Sequence, residues 1–420
     1  MRQAKAAGGP PPFLRHGFRP FFLLGALWAA FALFAWLAVL AGGLALPTTM
    51  EPLAWHRHEL LFGYLAAVIA AFLLTATPNW TGGKPTQGGP LLALVLLWLL
   101  ARLAVLFSGW TGAGLALVLD TAFPLVLAGV IAREIVAGRN WRNLPVTVLV
   151  GLLALADLLS HLESLGVLPS ELLLGDRLAI AVVAALVALI GGRVTPSFTT
   201  NWLKTRGAAR LPASFDRLDR AALALTGLAL VNWLVLGEGA VPGLLLLAAA
   251  VGLAVRLARW RGRAVVGEPL LLVLHLGYAW LTLGLALLGL AALGVVPRAA
   301  ALHALTAGAF GTMTLAVMTR ATLGHTGRAL TADGWTSAIF ALVNLGALAR
   351  LAAFGAPAAY LPMLQLAGLS WGGAFLLYAL RYGPFLLRPS PTAVAATPGA
   401  PGTGAPGDRA AAAASSRRPA

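Results

Sequence analysis

The sequence predicts an all-α membrane protein with about twelve transmembrane helices, and three observations favour that fold class. Only 10% of the 420 residues are charged and 59% are apolar, whereas a soluble globular domain carries about 25% charged residues. Apolar runs of about 20 residues recur along the chain, and each can span a hydrocarbon core of roughly 30 Å. The runs lack the polar stripe of a water-facing helix. In lipid, a helix satisfies the hydrogen bonds of their backbone within the segment itself.

The chain divides into three segments. Residues 1–17 are predicted to be a cytoplasmic N-terminal segment, and residues 18–385 the transmembrane domain. Residues 386–420 are rich in Pro, Ala, Gly and Ser without apolar periodicity, which predicts a disordered cytoplasmic tail. The first apolar run is too long for a signal-peptide core. The helices are predicted at 18–41, 53–77, 90–107, 111–132, 144–162, 177–192, 217–236, 241–258, 268–293, 299–319, 334–353 and 358–380.

The positive charges indicate the orientation. Most of the 30 Lys and Arg residues fall in alternate loops and in the two termini, which by the positive-inside rule places both termini in the cytoplasm. Arg57, Arg177 and Arg298 lie at outer helix ends. The net charge of +16 therefore reflects topology, and we expect a lipid bilayer and no nucleic acid as the partner. The prediction is a multi-pass protein of the cytoplasmic membrane.

An internal repeat groups the helices. His58 begins one helix that ends near Thr77-Pro78, and a shift of 245 residues brings His303 and a second Thr- and Gly-rich helix end into register. A shift of 118 residues brings Asp176 into the same position. Helices 2, 6 and 10 thus share one plan, which predicts three repeated four-helix units.

Histidine is the main candidate for chemistry. The chain has seven histidines and no cysteine, so thiolate sites and covalent c-type haem are excluded. Four histidines at outer helix ends suit non-covalent haem, which would be b-type, or copper. The alternative is that each histidine only caps a carbonyl or contacts a headgroup. The four are His56, His58, His161 and His303.

The positions of these histidines in the repeat and in the helices indicate which are the better candidates for metal ligands. The repeat singles out His58 and His303 as the first choice for haem ligands, with His56 and His161 next for copper or a second haem ligand. His56 and His58 are about 200° apart around a helix, so they cannot share one metal if the helix begins before His56. His275, two turns into helix 9 from the cytoplasmic face, is a further metal candidate.

Other buried ionisable residues add to the prediction, because such groups are rare in membranes. Asp157 lies one turn before His161 and could orient its ring. Arg102 and Arg350 could bind haem propionates. The open alternatives are snorkelling or an ion pair of Arg with Asp120.

Four segments resemble the NnrS family. They are GFRPFF at 17–22, WHRHELLFGY at 55–64, TPNWTG at 77–82 and the segment 303–328, which ends in LGHTGR. They lie in order within a match of roughly residues 13–385. The resemblance implies a haem- and copper-containing protein of the cytoplasmic membrane, linked to nitric oxide metabolism and to resistance against nitrosative stress.

Two classes of function follow. The first is a haem and copper protein that binds nitric oxide or performs redox chemistry on it, with an electron donor that the sequence does not identify. Whether it is an enzyme stays open. The second is a secondary transporter without haem, which the twelve helices, the repeat and the helix-breaking signals at Pro78 and Pro196 also suit.

Overall fold

The computed structural model describes residues 9–391, and these residues form an all-α membrane protein. Of these described residues 81% are helical, and none lies in a strand. The predicted count is confirmed, since twelve helices are long and apolar enough to cross a membrane. They are α1 (Phe18–Leu40), α2 (Pro52–Thr81), α3 (Gly89–Leu106), α4 (Ala113–Ala137), α5 (Trp141–Ser164), α6 (Ser170–Lys204), α7 (Arg217–Leu236), α8 (Ala240–Ala258), α9 (Pro269–Ala292), α10 (Arg298–His325), α11 (Gly334–Gly355) and α12 (Pro357–Leu387).

Helices α2, α6 and α10 form the centre of the bundle. Their most apolar windows are 72%, 67% and 67% buried, the largest shares of the twelve helices. The other helices surround them, each packed against its sequence neighbours, and α1 packs against α12 to close the ring. The central helices also contact one another directly. Arg57 Nε lies 2.5 Å from Asp176 Oδ2, the hydroxyls of Tyr64 and Thr314 are hydrogen-bonded, and Arg320 lies over the ring of Phe198.

The repeat is visible in the backbone of two central helices. A π-helical turn at Glu59–Leu65 follows His58, and another at Ala304–Phe310 follows His303, so the two obey the 245-residue shift. The third π turn, Val187–Gly191 in α6, lies farther along its helix than the 118-residue shift requires. The central helices of the first and third units therefore match closely, whereas α6 shares the central position but carries its π turn at a different place.

Five helices run at least four residues farther than the sequence indicated, and they are α2, α4, α6, α10 and α12. Predicted ends near residues 77 and 192 are wrong, because α2 continues through Pro78 and α6 through Pro196. A proline removes one backbone hydrogen bond, and nearby Thr side chains supply others, as when Thr81 Oγ1 donates to the Thr77 carbonyl at 2.9 Å. Polar residues lower the hydropathy of the last turns of these helices and of α10, so the apolar pattern ends before the helix does.

One arginine near the C-terminal end of a helix is buried inside the bundle. Arg256, in α8, is 1% exposed. Its Nε donates to Asp219 Oδ1 at 2.7 Å and its Nη1 to the Tyr278 hydroxyl at 2.6 Å. Because its charge is balanced by Asp219, Arg256 holds α7, α8 and α9 together and should not be counted as a topological charge.

We call the end of the bundle that carries the Arg- and Lys-rich loops the basic end, and the other the histidine end. The predicted tail lies mainly beyond residue 391, outside the described residues. Its first two residues belong to α12, and a short 3₁₀ turn at Pro12–Leu14 precedes α1.

The charge bias predicts that the basic end faces the cytoplasm. A reporter protein fused after Arg388 should therefore fluoresce if it folds only in the cytoplasm, and alkaline phosphatase at the same position should be inactive. High phosphatase activity there would reverse the orientation of every loop.

Candidate metal centre

Two histidines and two aspartates from three helices meet at the histidine end. They are His58 of α2, Asp120 of α4, and Asp157 and His161 of α5. One potential ligand atom from each lies within 4.8 Å of the others, and all four side chains are buried. We call this set the His–Asp cluster.

Local geometry aims these side chains inward. Asp157 and His161 are one helical turn apart and therefore share a face of α5. His58 is the last residue before the π turn of α2, and π turns are common at functional sites because they change the direction of the side chains. The indole of Trp98 donates to the carbonyl of Gly63 at 2.9 Å, which fixes that turn against α3.

The imidazoles face carboxylate oxygens. His58 Nε2 lies 3.1 Å from Asp157 Oδ1 and 3.4 Å from Asp120 Oδ2. His161 Nε2 lies 3.2 Å from the same Asp120 oxygen. The two rings meet edge to face, with centroids 4.8 Å apart. Four convergent N and O donors are the arrangement from which a tetrahedral or tetragonal metal site is made.

Arg102 and Glu59 support the cluster from its other side. Arg102 Nη1 donates to Glu59 Oε2 at 2.7 Å, and its Nη2 donates to Asp120 Oδ1. Trp28 Nε1 also donates to Glu59 Oε2, at 2.6 Å. Arg102 thus forms the pair with Asp120 that was the alternative to propionate binding. Its guanidinium is committed to two carboxylates.

The charges of this buried group do not balance. His58, Glu59, Arg102, Asp120, Asp157 and His161 are each at most 2% exposed. With neutral imidazoles, three carboxylates face one guanidinium, and two negative charges are left. Buried charge without a partner is strongly unfavourable, so the group calls for either a divalent cation or protons on its own side chains.

The remaining candidate ligands lie elsewhere. His56 stacks on Trp36, with ring centroids 4.9 Å apart and planes at 15°, at the same end of the bundle where His303 and Arg350 both pack against the ring of Phe354. Because α2 begins at Pro52, His56 and His58 face different neighbours, as their angular separation predicted. The structure therefore brings His58 to His161, whereas His56 and His303 lie apart from that pair at the histidine end.

Several side-chain nitrogen atoms around His303 have no hydrogen-bond partner. Its Nδ1–H donates to the Ala299 carbonyl at 2.7 Å, which leaves Nε2 as the free lone pair. Arg350 lies over the ring of Phe354 at 4.4 Å. The buried Nη1 of Arg350 and the buried Nδ1 of His56 have no hydrogen-bond partner. We call His56, His303 and Arg350 the second histidine site.

His275 belongs to neither group. Its Nδ1 lies 3.0 Å from the Leu271 carbonyl and its Nε2 lies 3.4 Å from the Trp260 carbonyl. Both ring nitrogens therefore face backbone acceptors, and the side chain fastens α9 to the loop after α8.

A porphyrin does not fit the His–Asp cluster. The Nε2 atoms of His58 and His161 each have a carboxylate oxygen within 3.2 Å, and Phe62 covers the His58 ring at a centroid distance of 5.0 Å. Neither Nε2 atom is therefore open to the iron of a macrocycle, whereas a single ion needs only the space between the four donors.

Sequence reasoning missed one member of the group and undervalued another. Glu59 was not singled out, and Asp120 was considered only as a partner for Arg102. Both are ionisable residues inside apolar helices, which is itself a signal of function. An ionisable residue inside an apolar helix does not reveal which side chains it contacts, because those side chains come from other helices.

The chain was compared with protein families and with curated proteins. A family model described as "NnrS protein" matches residues 12–390, nearly the whole described chain. A search of curated proteins found no match.

Proposed function

The chain belongs to the NnrS family, and we propose that it acts in the nitric oxide response by holding copper at the His–Asp cluster and haem at the second histidine site. The observation that carries the proposal is the His–Asp cluster itself, a buried set of four metal-ligand side chains with an excess of negative charge.

Copper is the ion that this donor set favours. Imidazole and carboxylate ligands without thiolate suit divalent copper in a tetragonal site, and divalent copper binds a given N/O site most tightly among the first-row metals. A divalent ion would also balance the two negative charges left by Arg102. Glu59 Oε1 lies 3.7 Å from His58 Nδ1, and neither atom has a hydrogen-bond partner. With a metal on Nε2, this carboxylate would orient the His58 imidazole.

Haem suits the second histidine site better than the cluster. The hydrogen bond from His303 Nδ1 to Ala299 fixes the tautomer whose Nε2 can bind iron. The free Nη1 of Arg350 would pair with a propionate. We therefore assign His303 and Arg350 to haem, with His56 as the candidate for a second ligand, and we assign His58 to copper rather than to haem.

These groups give the protein its chemistry. Copper and haem iron both bind nitric oxide and exchange single electrons, so the protein would either bind nitric oxide or transform it with electrons from a donor. The residues themselves hold the ions, exclude water from them and fix their ligands. We place this chemistry at the outer side of the cytoplasmic membrane, in line with the charge bias.

The test is cofactor analysis of the intact protein purified in detergent. We expect copper by mass spectrometry and a Soret band in the absorption spectrum. His303→Ala should lower the haem content several-fold with copper retained, and His275→Ala, a buried histidine outside both sites, should change neither. Copper without haem would refute the haem assignment alone. A protein with neither cofactor after supply of both during expression would contradict the proposal and favour the transporter class.

A further inference from the structure

A cavity at the basic end is separate from both histidine sites. It has a volume of about 300 Å³ and lies between α1, α2, α6 and α10. Thr75 in its wall is 17 residues along α2 from His58, which corresponds to roughly 25 Å at 1.5 Å per residue. Neither copper nor haem as assigned above reaches it.

Five aromatic side chains line the cavity. They come from α1, α2 and α6, and they are Phe18, Phe22, Phe72, Trp80 and Phe198. Small ligand sites are commonly lined by apolar and aromatic residues with a few convergent polar groups. Flat walls of this kind favour a flat, conjugated ligand, because offset or edge contacts between rings are favourable.

Besides Thr75, the cavity is lined by the polar side chains of Asn79, Arg320 and His325. Asn79 and His325 are exposed, so the cavity opens at the basic ends of α2 and α10. Arg320 lies over the Phe198 ring at 4.2 Å, with its guanidinium at the wall. Amide, imidazole and guanidinium donors at one end of an aromatic slot would bind the oxygens of a ring that carries carbonyl or hydroxyl groups.

Segments with family resemblance meet here. Residues 17–22 supply Phe18 and Phe22, residues 77–82 supply Asn79 and Trp80, and residues 303–328 supply Arg320 and His325. Three parts of the chain that are far apart in sequence therefore build one cavity, whereas residues 55–64 contribute to the His–Asp cluster.

We propose that this cavity binds the ring of a membrane quinone or quinol. The ligand is planar and apolar with oxygens on the ring, as the wall and the polar groups require, and it is dissolved in the bilayer that surrounds the helices. A volume of about 300 Å³ suits one or two fused rings and is small for a porphyrin. The proposal does not depend on either metal assignment.

The experiment is calorimetric titration of menadione, a naphthoquinone without a tail, into the full chain in detergent. Gly324 lies in the cavity wall, and a Cβ added there would meet only Leu330, at 3.8 Å. Gly324→Leu should therefore fold and fill the cavity, and we expect its Kd for menadione to rise about tenfold or more. Arg320→Gln should weaken binding several-fold by removing the cationic donor.

Gly334→Leu is the matched control. It adds the same side chain at the same end of the bundle, at the start of α11, where a Cβ has no neighbour within 4 Å, and it should bind menadione as the wild type does. Binding that is absent, or equal in Gly324→Leu and wild type, would overturn the proposal. Loss of a Soret band in Gly324→Leu, with no menadione binding to wild type, would show that the cavity holds haem instead.

Discussion

His58→Ala is expected to lower the copper content of the purified protein about tenfold or more, because it removes one of four ligands from a closed, buried site. The loss of one partner around a metal already costs about 10–100-fold in affinity when that partner only orients a ligand. Asp157 Oδ1 is 3.1 Å from His58 Nε2, so Asp157→Asn should have a similar effect. Both variants should also change the electron paramagnetic resonance signal of any copper that remains.

His56→Ala is the matched control for this prediction. It removes the same side chain from the same helix two residues away, but His56 faces Trp36 rather than Asp157. We expect its copper content to match that of wild type. Copper retained by His58→Ala and His161→Ala alike, but lost from His56→Ala, would move the copper to the second histidine site. Absence of copper from every form, with both imidazoles protonated, would mean that protons balance the cluster.

Arg102→Met is expected to destabilise the protein by about 3–5 kcal/mol, the usual cost of removing one partner from a buried ion pair. The guanidinium is 0% exposed and donates to both Glu59 and Asp120. Without it, their negative charges face each other with no cation on that side. We expect a large fall in the midpoint of thermal unfolding in detergent, or poor accumulation in the membrane.

Neutralising the partners should reverse this effect. The triple variant Arg102→Met, Glu59→Gln, Asp120→Asn buries no unpaired charge at these positions, so it should regain much of the lost stability. Arg133→Met removes an arginine whose partner is Glu134, but that arginine is 73% exposed, and its unfolding midpoint should stay unchanged. A triple variant as unstable as Arg102→Met would show that the shape of Arg102, not its charge, is what the bundle needs.

Part of the candidate site followed from the sequence. Asp157 and His161 were expected to act together because a spacing of four residues puts both on one face of a helix. The separation of His56 from His58 followed from the angle between successive residues. The pairing of His58 with His303 rested on matched positions in two repeats, and matched positions do not make two side chains neighbours. The structure brings His58 to His161 instead.

The sequence by itself determined the number of helices and which loops carry the positive charges, because hydropathy and charge can be read from each segment separately. It did not determine where α2 and α6 end, since Pro78 and Pro196 are accommodated by neighbouring contacts. Only the tertiary structure decided that α3, α4 and α5 bring Arg102, Asp120 and His161 to His58. In a lipid-facing bundle, side-chain packing and polar contacts decide which helix faces meet, and those depend on all the helices together.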